Sequence, residues 1–261
     1  MTVIPYVLDN IAAKHVVRST SAAPAPLAAS TPIAIRLVGR QFARVLAMAA
    51  VCIVLLGWFR EIYVGLFGLE TALKNLRHID MDLEGTLPAW FSSFVLVTAA
   101  VQLAAIAGLS RRENDKDWRY WGFLAVIFLY LAIDEAIAIH EVLIHPLRTA
   151  FNLSGILHFS WVLPGAAVVM AVGCYFLPFV LRLPRQHAVR FVICGTIFVG
   201  GALGMELVGG YFASRYGMTS PIYLVAMLIE ETMEITGSTM FVYALFSYLH
   251  DRWGVWAVEV G

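Results

Sequence analysis

Residues 120–145 read YWGFLAVIFLYLAIDEAIAIHEVLIH, an apolar stretch that nevertheless contains Asp134, Glu135 and Glu141. A helix of about 20 apolar residues crosses the hydrocarbon core of a bilayer, and a carboxylate at that depth costs roughly 2.5–3.5 kcal/mol. Further acidic residues occupy similar stretches later in the chain: Glu206, Glu230, Glu231 and Glu234. A chain that keeps seven such groups is expected to use them.

The composition is that of a membrane protein. Of the 261 residues, 60% are apolar and 14% are charged, with a mean hydropathy of +0.78, whereas a soluble domain carries about 25% charged residues. The formal net charge is zero and no basic tract is present, which argues against a nucleic-acid partner. The three cysteines lie in apolar runs without paired spacing and are interpreted as small apolar residues.

Six apolar segments predict an all-α, six-helix transmembrane bundle. They are residues 43–68, 88–109, 120–145, 159–181, 189–212 and 221–249, within a transmembrane domain of residues 41–250. Residues 1–40 are predicted to be a largely disordered cytoplasmic segment, because residues 19–32 form an Ala/Pro/Ser linker; a short interfacial helix near residue 4 is the alternative. Residues 251–261 are predicted to form a short tail.

Lys and Arg are unevenly distributed between the two sides of this bundle. Of the 18, the side with both termini carries 13 and the opposite side 4, while Arg60 lies within the first span. By the positive-inside rule both termini are cytoplasmic. Counted from the span ends at about 1.5 Å per residue, Asp134, Glu206 and Glu230 then lie in the outer half of the bilayer. The tryptophans at span ends are interpreted as interfacial anchors: Trp90, Trp118, Trp121 and Trp161.

In the third span, helical periodicity places Asp134, Glu141 and His145 on one stripe. Carboxylates stacked with an imidazole favour a metal site or a proton relay. Two interpretations without a functional role stay open: His145 caps the helix at the interface, or Glu141 pairs with Arg148.

The sixth span carries three glutamates on one helical face: Glu230, Glu231 and Glu234. Three carboxylates on one face cannot all stay ionised without cations, so either a bound metal neutralises them or some hold protons. Arg60 and Arg215 are too few to serve as counter-ions for all of them. Glu206 shares a helical face with glycines, which permit close helix packing in lipid, so it is expected to lie against a neighbouring helix.

Two passages together resemble a group of bacterial polytopic membrane proteins with no assigned activity. They are DMDLEGTLPAWFSS at residues 80–93 and LAIDEAIAIHE at residues 131–141, matching the motifs D-x-D-x-E…P-x-W-F-S-S and L-D-E-x4-H-E, with Ile133 in place of leucine. The resemblance implies a multi-pass architecture in a bacterial inner membrane and a choice of residues, but no reaction. The acidic triplet is a poor calcium loop, because no helix–loop–helix frame surrounds it.

These patterns lead to the hypothesis of a metal-dependent membrane enzyme, an oxidoreductase or a hydrolase, acting on a lipid-soluble substrate. Carboxylate-rich ligation suits Fe, Mn or Zn as the cofactor. The predicted catalytic residues are Glu135 and Glu231. The predicted metal ligands are Asp134, His140, Glu141, His145, Glu206, Glu230 and Glu234. The predicted gate or accessory residues are Asp80, Asp82, Glu84 and Arg60.

Two other classes of function are compatible with the same residues. A transporter of a divalent cation or of a proton-coupled solute would use these carboxylates as its binding or relay site. Against it, the cytoplasmic halves of the spans lack ionisable residues, and no inverted repeat is evident. A non-catalytic membrane subunit would instead point its acids outward from the bundle, towards a partner. Membrane lipid is an expected partner in every case.

Overall fold

The computed structural model describes residues 32–68 and 77–254, with side chains from residue 41 onward. The predictions for residues 1–31 and for most of the C-terminal tail lie outside the described residues, whereas residues 32–40, predicted as the end of the disordered segment, are helical. The described part is helical and contains no strand, which confirms the predicted all-α class. Its seven helices are α1 (Pro32–Phe67), α2 (Leu87–Arg112), α3 (Trp118–Ile137), α4 (Ile144–Phe151), α5 (Val162–Arg182), α6 (Arg185–Tyr216) and α7 (Pro221–Trp253).

Five of these helices are long and apolar enough to cross a membrane: α1 from Gln41 onward, α2, α3, α5 and α6. This is the architecture expected of a multi-pass membrane protein. Helix α7 has 33 residues, about 50 Å at 1.5 Å per residue, but its glutamates make it more polar than the other five.

Helix α7 lies at the centre of the bundle, which explains how it tolerates this polarity. It packs against α1, α2 and α6, and Leu228, Ile235, Val242 and Leu245 along its length are almost completely buried. Because protein surrounds much of α7, its composition is set by its neighbours more than by lipid.

Helix α3 pairs closely with α2 and reaches α7 through large aromatic side chains. The Ser93 hydroxyl of α2 donates a hydrogen bond to the Ala132 carbonyl of α3 at 2.7 Å. On the other side, the rings of Phe128 and Phe241 stack with their centroids 4.7 Å apart. Trp121 is 1% exposed inside this core, so its interpretation as an interfacial anchor is wrong.

Helices α6 and α7 approach each other backbone to backbone. A Cβ at Gly237 would lie 2.7 Å from the Phe198 nitrogen of α6, and one at Gly201 would lie 2.9 Å from the Glu230 carbonyl oxygen of α7. Gly201 belongs to a π-helical turn, Gly200–Met205, that interrupts α6. Glycine therefore permits the close packing of α6 that the sequence predicts, and Glu206 follows the π turn directly.

The third predicted span is too long at its C-terminal end. Helix α3 stops before Ala138, which has a φ of 45° and donates its backbone N–H to the Asp134 carbonyl. The Asp134 carboxylate then accepts a hydrogen bond from the backbone N–H of His140 at 2.9 Å. Side-chain bonds of this kind offer the backbone an alternative to the helix. The predicted stripe of Asp134, Glu141 and His145 is therefore wrong, because the chain turns between its members.

Candidate functional site

The loop between α1 and α2 is fixed over one end of the bundle by buried contacts. Met81 is 3% exposed and packs against the α1 backbone. Arg60 pairs with its neighbour Glu61 and, at 2.7 Å, with Asp80, and all three side chains are buried. Arg60 and Asp80, predicted as gate or accessory residues, thus form an ion pair that holds the loop against α1.

Asp82 extends from this loop to α7. The Tyr223 hydroxyl donates a hydrogen bond to the Asp82 Oδ1 at 3.3 Å. Asp82 is exposed at the surface, but the protein around its carboxyl group, followed by the charge of Asp80, raises its pKa to about 7. Asp82 therefore keeps its proton to a higher pH than an ordinary aspartate does.

Carboxylates from three helices lie near one another beneath this loop. Glu231 of α7 has Glu135 of α3, Asp82 of the loop and Glu206 of α6 among its charged neighbours. Glu234 also lies near Glu135 and Glu206. We name this group the carboxylate cluster and define it as Asp82, Glu84, Asp134, Glu135, Glu141, Glu206, Glu230, Glu231 and Glu234. The sequence placed the helical members at comparable depths, and the fold brings them together.

Glu206 connects the cluster to α5 and α7. Its carboxyl group lies close to that of Glu230, and its Oε1 accepts a hydrogen bond from the Trp161 indole N–H at 2.9 Å. The predicted close approach of Glu206 to a neighbouring helix is thus present in the structure. Trp161 contacts the cluster directly and is more than an interfacial anchor.

Asp134 and His140 form a second, directly bonded part of the site. The His140 Nδ1 lies 2.8 Å from the Asp134 Oδ2, and the imidazole lies against the Trp161 indole with ring centroids 4.4 Å apart. Burial opposes protonation of His140, but the hydrogen bond and charge of Asp134 outweigh it and raise the His140 pKa. The carboxylate fixes the orientation of the imidazole and leaves its Nε2 as the nitrogen directed away from Asp134.

Glu141 and Glu84 join the cluster from its exposed side. Partial burial and then the charge of Glu84 raise the pKa of Glu141. One interpretation of the sequence paired Glu141 with Arg148. In the structure the Arg148 Nη1 instead lies 3.3 Å from the His158 Nε2.

The structure places His145 apart from the cluster. It is exposed on α4, and its Nδ1 lies 3.3 Å from the Thr149 hydroxyl. The separation follows from the turn after α3, which starts a new helix before His145.

Three contributors to the site are not among the predicted site residues. Helical periodicity places Tyr223 on the same face of α7 as the glutamates, but no role was predicted for it. Trp161 gives no such signal, because the same residue type is common at membrane interfaces. Ser92 is 4% exposed beside Glu135, and its hydroxyl has no hydrogen-bond partner of normal geometry in the described part of the chain.

Positive charge near the cluster is scarce. Within residues 41–68 and 77–254, the buried guanidinium of Arg60 is already shared by Glu61 and Asp80. The same residues contain no set of three His, Cys, Asp or Glu side chains arranged to hold a metal ion as they stand. A metal would therefore require carboxylates of the cluster to rotate towards one another.

An apolar groove of about 1300 Å³ ends at this site. It lies between α3, α5, α6 and α7; Asp134, His140 and Trp161 line one end, and Trp121 and Phe179 line the other. From Trp121 to Asp134 the groove follows α3 for about 20 Å. A long apolar space thus communicates with the Asp134–His140 pair.

The fold and the site define a helical membrane protein with an acidic interior site beside an apolar groove. A family model described as a domain of unknown function (DUF8692) matches residues 44–249. The chain belongs to this family, and the match contains the whole carboxylate cluster and the groove. The comparisons with curated proteins and with solved structures give no match.

Proposed function

We propose that the protein is a metal-dependent membrane enzyme that acts on a lipid-soluble substrate at the carboxylate cluster. The observation that carries this proposal is the meeting of carboxylates from α3, α6, α7 and the α1–α2 loop at the end of an apolar groove. If the carboxylates served only to form structural ion pairs, they would need a similar number of cations nearby. The buried Arg60 is already paired with Glu61 and Asp80.

In the proposed topology α7 is the sixth transmembrane helix, and both termini lie in the cytoplasm. The excess of Lys and Arg on the side of the termini supports this orientation. The carboxylate cluster then lies in the outer half of a bacterial inner membrane and opens towards the periplasm beneath the α1–α2 loop.

The residues of the cluster divide into three proposed roles. Glu135 of α3 and Glu231 of α7 lie near each other, and either is suited to act as a general base. Asp134 orients His140, as carboxylates do for catalytic and ligating histidines. The proposed ligands are His140, Glu141, Glu206, Glu230 and Glu234; His145 is left out because it faces Thr149, and Asp134 because both of its oxygens accept hydrogen bonds from His140. A bound Fe, Mn or Zn ion would supply an activated water or an open coordination position.

The alternatives fit the geometry less well. Transport needs a polar route to the opposite side of the membrane, whereas Ile235, Val242 and Leu245 of α7 fill the described core below the cluster with buried apolar side chains. A non-catalytic subunit would direct its acids outward, whereas the glutamates of α7 have acids of other helices as their neighbours.

Elemental analysis of the purified, detergent-solubilised protein tests the proposal. Glu231→Gln and Asp134→Asn remove charge from opposite parts of the cluster, while Glu113→Gln is a matched control at the other end of the bundle. Stoichiometric transition metal is expected in the wild type and in the control, and a loss of metal in both cluster variants. A metal-free wild type that carries pH-dependent cation flux in proteoliposomes would overturn the enzyme proposal in favour of transport.

A further inference from the structure

We propose that the apolar groove binds the hydrocarbon chain of a single-chain lipid whose cationic amine head group lies at Asp134. This inference rests on the proposed function and names the substrate class of the same site.

The dimensions of the groove fit a long chain. Its volume of about 1300 Å³ exceeds the roughly 300–1,000 Å³ of ordinary small-molecule pockets, and its length of about 20 Å along α3 covers most of the hydrocarbon thickness. Side chains such as Leu124, Val169 and Phe198 make its lining mainly apolar. Gly173 and Gly195 also line it, and neither has an atom within 4 Å of the position a Cβ would take.

The polar end of the groove offers hydrogen-bond acceptors and aromatic faces. Each carboxylate oxygen of Asp134 accepts one hydrogen bond from His140. A carboxylate has about four acceptor sites, so two remain for a ligand. Tyr130 and Trp161 line the groove together with Asp134, and aromatic faces stabilise cations within about 6 Å.

The charge of the site selects among lipid head groups. The carboxylate cluster has nine acidic members, and the buried Arg60 next to it is already paired with Glu61 and Asp80. A phosphate or carboxylate head would be repelled, and an alcohol would gain hydrogen bonds alone. An ammonium group gains both the hydrogen bonds and the charge interaction.

The head group, rather than the chain, should decide the affinity. A chain that moves from the bilayer into the groove stays in apolar surroundings, so it gains little hydrophobic free energy. Lipids with identical chains and different heads therefore give a direct test.

The test uses the full-length protein in nanodiscs and hexadecylamine with a photoreactive diazirine on its chain. Cross-linked peptides are mapped by mass spectrometry, with unlabelled hexadecylamine, hexadecanol, hexadecanoate and phosphatidylcholine as competitors. Labelling is expected on α3, α5, α6 and α7, with hexadecylamine competing at least about tenfold better than the others, a difference of about 1.4 kcal/mol. Labelling elsewhere, or equal competition by hexadecanoate, would overturn the inference.

Variants connect the labelling to the groove. Gly195→Phe and, independently, Gly173→Phe place a side chain in the open groove and should reduce labelling at least about tenfold. Gly108→Phe is the control, because Gly108 also has free space around it and lies outside the groove. Asp134→Asn should abolish the preference for amine over alcohol. Folded blocking variants that label like the wild type would contradict the inference.

Labelling and metal content are measured on the same preparations, before and after chelation. Stoichiometric metal without amine labelling overturns the lipid inference alone. Amine labelling in a protein that never holds metal overturns the metal-dependent function alone.

Discussion

Replacing Gly237 by alanine tests whether the contact between α6 and α7 positions the site. The new Cβ would lie 2.7 Å from the Phe198 nitrogen and 3.0 Å from the Cys194 oxygen. Both are backbone atoms, so one helix must move. Overpacking of this kind costs about 1–3 kcal/mol, partly offset by a gain of up to about 1 kcal/mol in helix propensity. A mid-range cost of about 2 kcal/mol, less that gain, leaves about 1–2 kcal/mol. At roughly 2–4 °C per kcal/mol, the Tm should fall by roughly 2–8 °C.

The assay is thermal unfolding of the detergent-solubilised protein, with Gly195→Ala as the control. Gly195 lies on α6 with no atom within 4 Å of its potential Cβ, so this variant gains helix propensity without a clash, and its Tm should stay constant or rise. A Tm of Gly237→Ala equal to or above that of Gly195→Ala would refute the backbone-to-backbone contact.

Three further predictions concern the charged groups. Arg60→Met leaves two buried carboxylates unpaired and should lower the free energy of unfolding by about 3–5 kcal/mol in denaturant titrations; Arg60→Lys should lose less, and equal stability of Arg60→Met and wild type would contradict the buried ion pair. Because the Asp82 pKa is raised to about 7, ionisation of Asp82 destabilises the fold as the pH rises from about 4 to about 7. The Tm of Asp82→Asn relative to that of the wild type should increase across this window. A difference in Tm that does not change with pH would refute the raised pKa. Because the pKa of His140 is raised, the Asp134–His140 pair stabilises the fold fully below a pH of about 6.5 and loses this effect as the pH rises through the folded-state pKa. The amount by which Asp134→Asn lowers the Tm should therefore shrink from pH 6 to pH 9. A difference in Tm that grows over this range would contradict the raised pKa.

Long apolar windows made the helical architecture predictable. Proline and polar breaks located most helix ends, for example at Pro88 near the start of α2 and at Pro221, which begins α7. Acidic residues within those windows stood out as candidates because few structural roles can offset their insertion cost. Depth counting then indicated that Asp134, Glu206 and Glu230 share a level, which is a necessary condition for the cluster.

The local geometry of the site could not be predicted in the same way. The break after α3 depends on hydrogen bonds from His140 to the side chain of Asp134, which compete with helical bonds of similar strength. The π turn before Glu206 adds a residue to one helical turn and changes which face the following residues occupy. The bond from Trp161 to Glu206 and the groove beside it depend on how α5 and α6 pack, and periodicity within one helix carries no information on that.

The central position of α7 has a consequence for how the protein is made. Its three glutamates would cost about 8–10 kcal/mol if they faced lipid at the bilayer centre, at roughly 2.5–3.5 kcal/mol each. Within the described chain it is the last helix to leave the ribosome, when α1, α2 and α6 have already been synthesised. We therefore expect α7 to enter the bilayer by packing against helices that are already inserted. A chain that is truncated before Pro221 should leave those helices around an unfilled centre, and we expect quality-control proteases to degrade it.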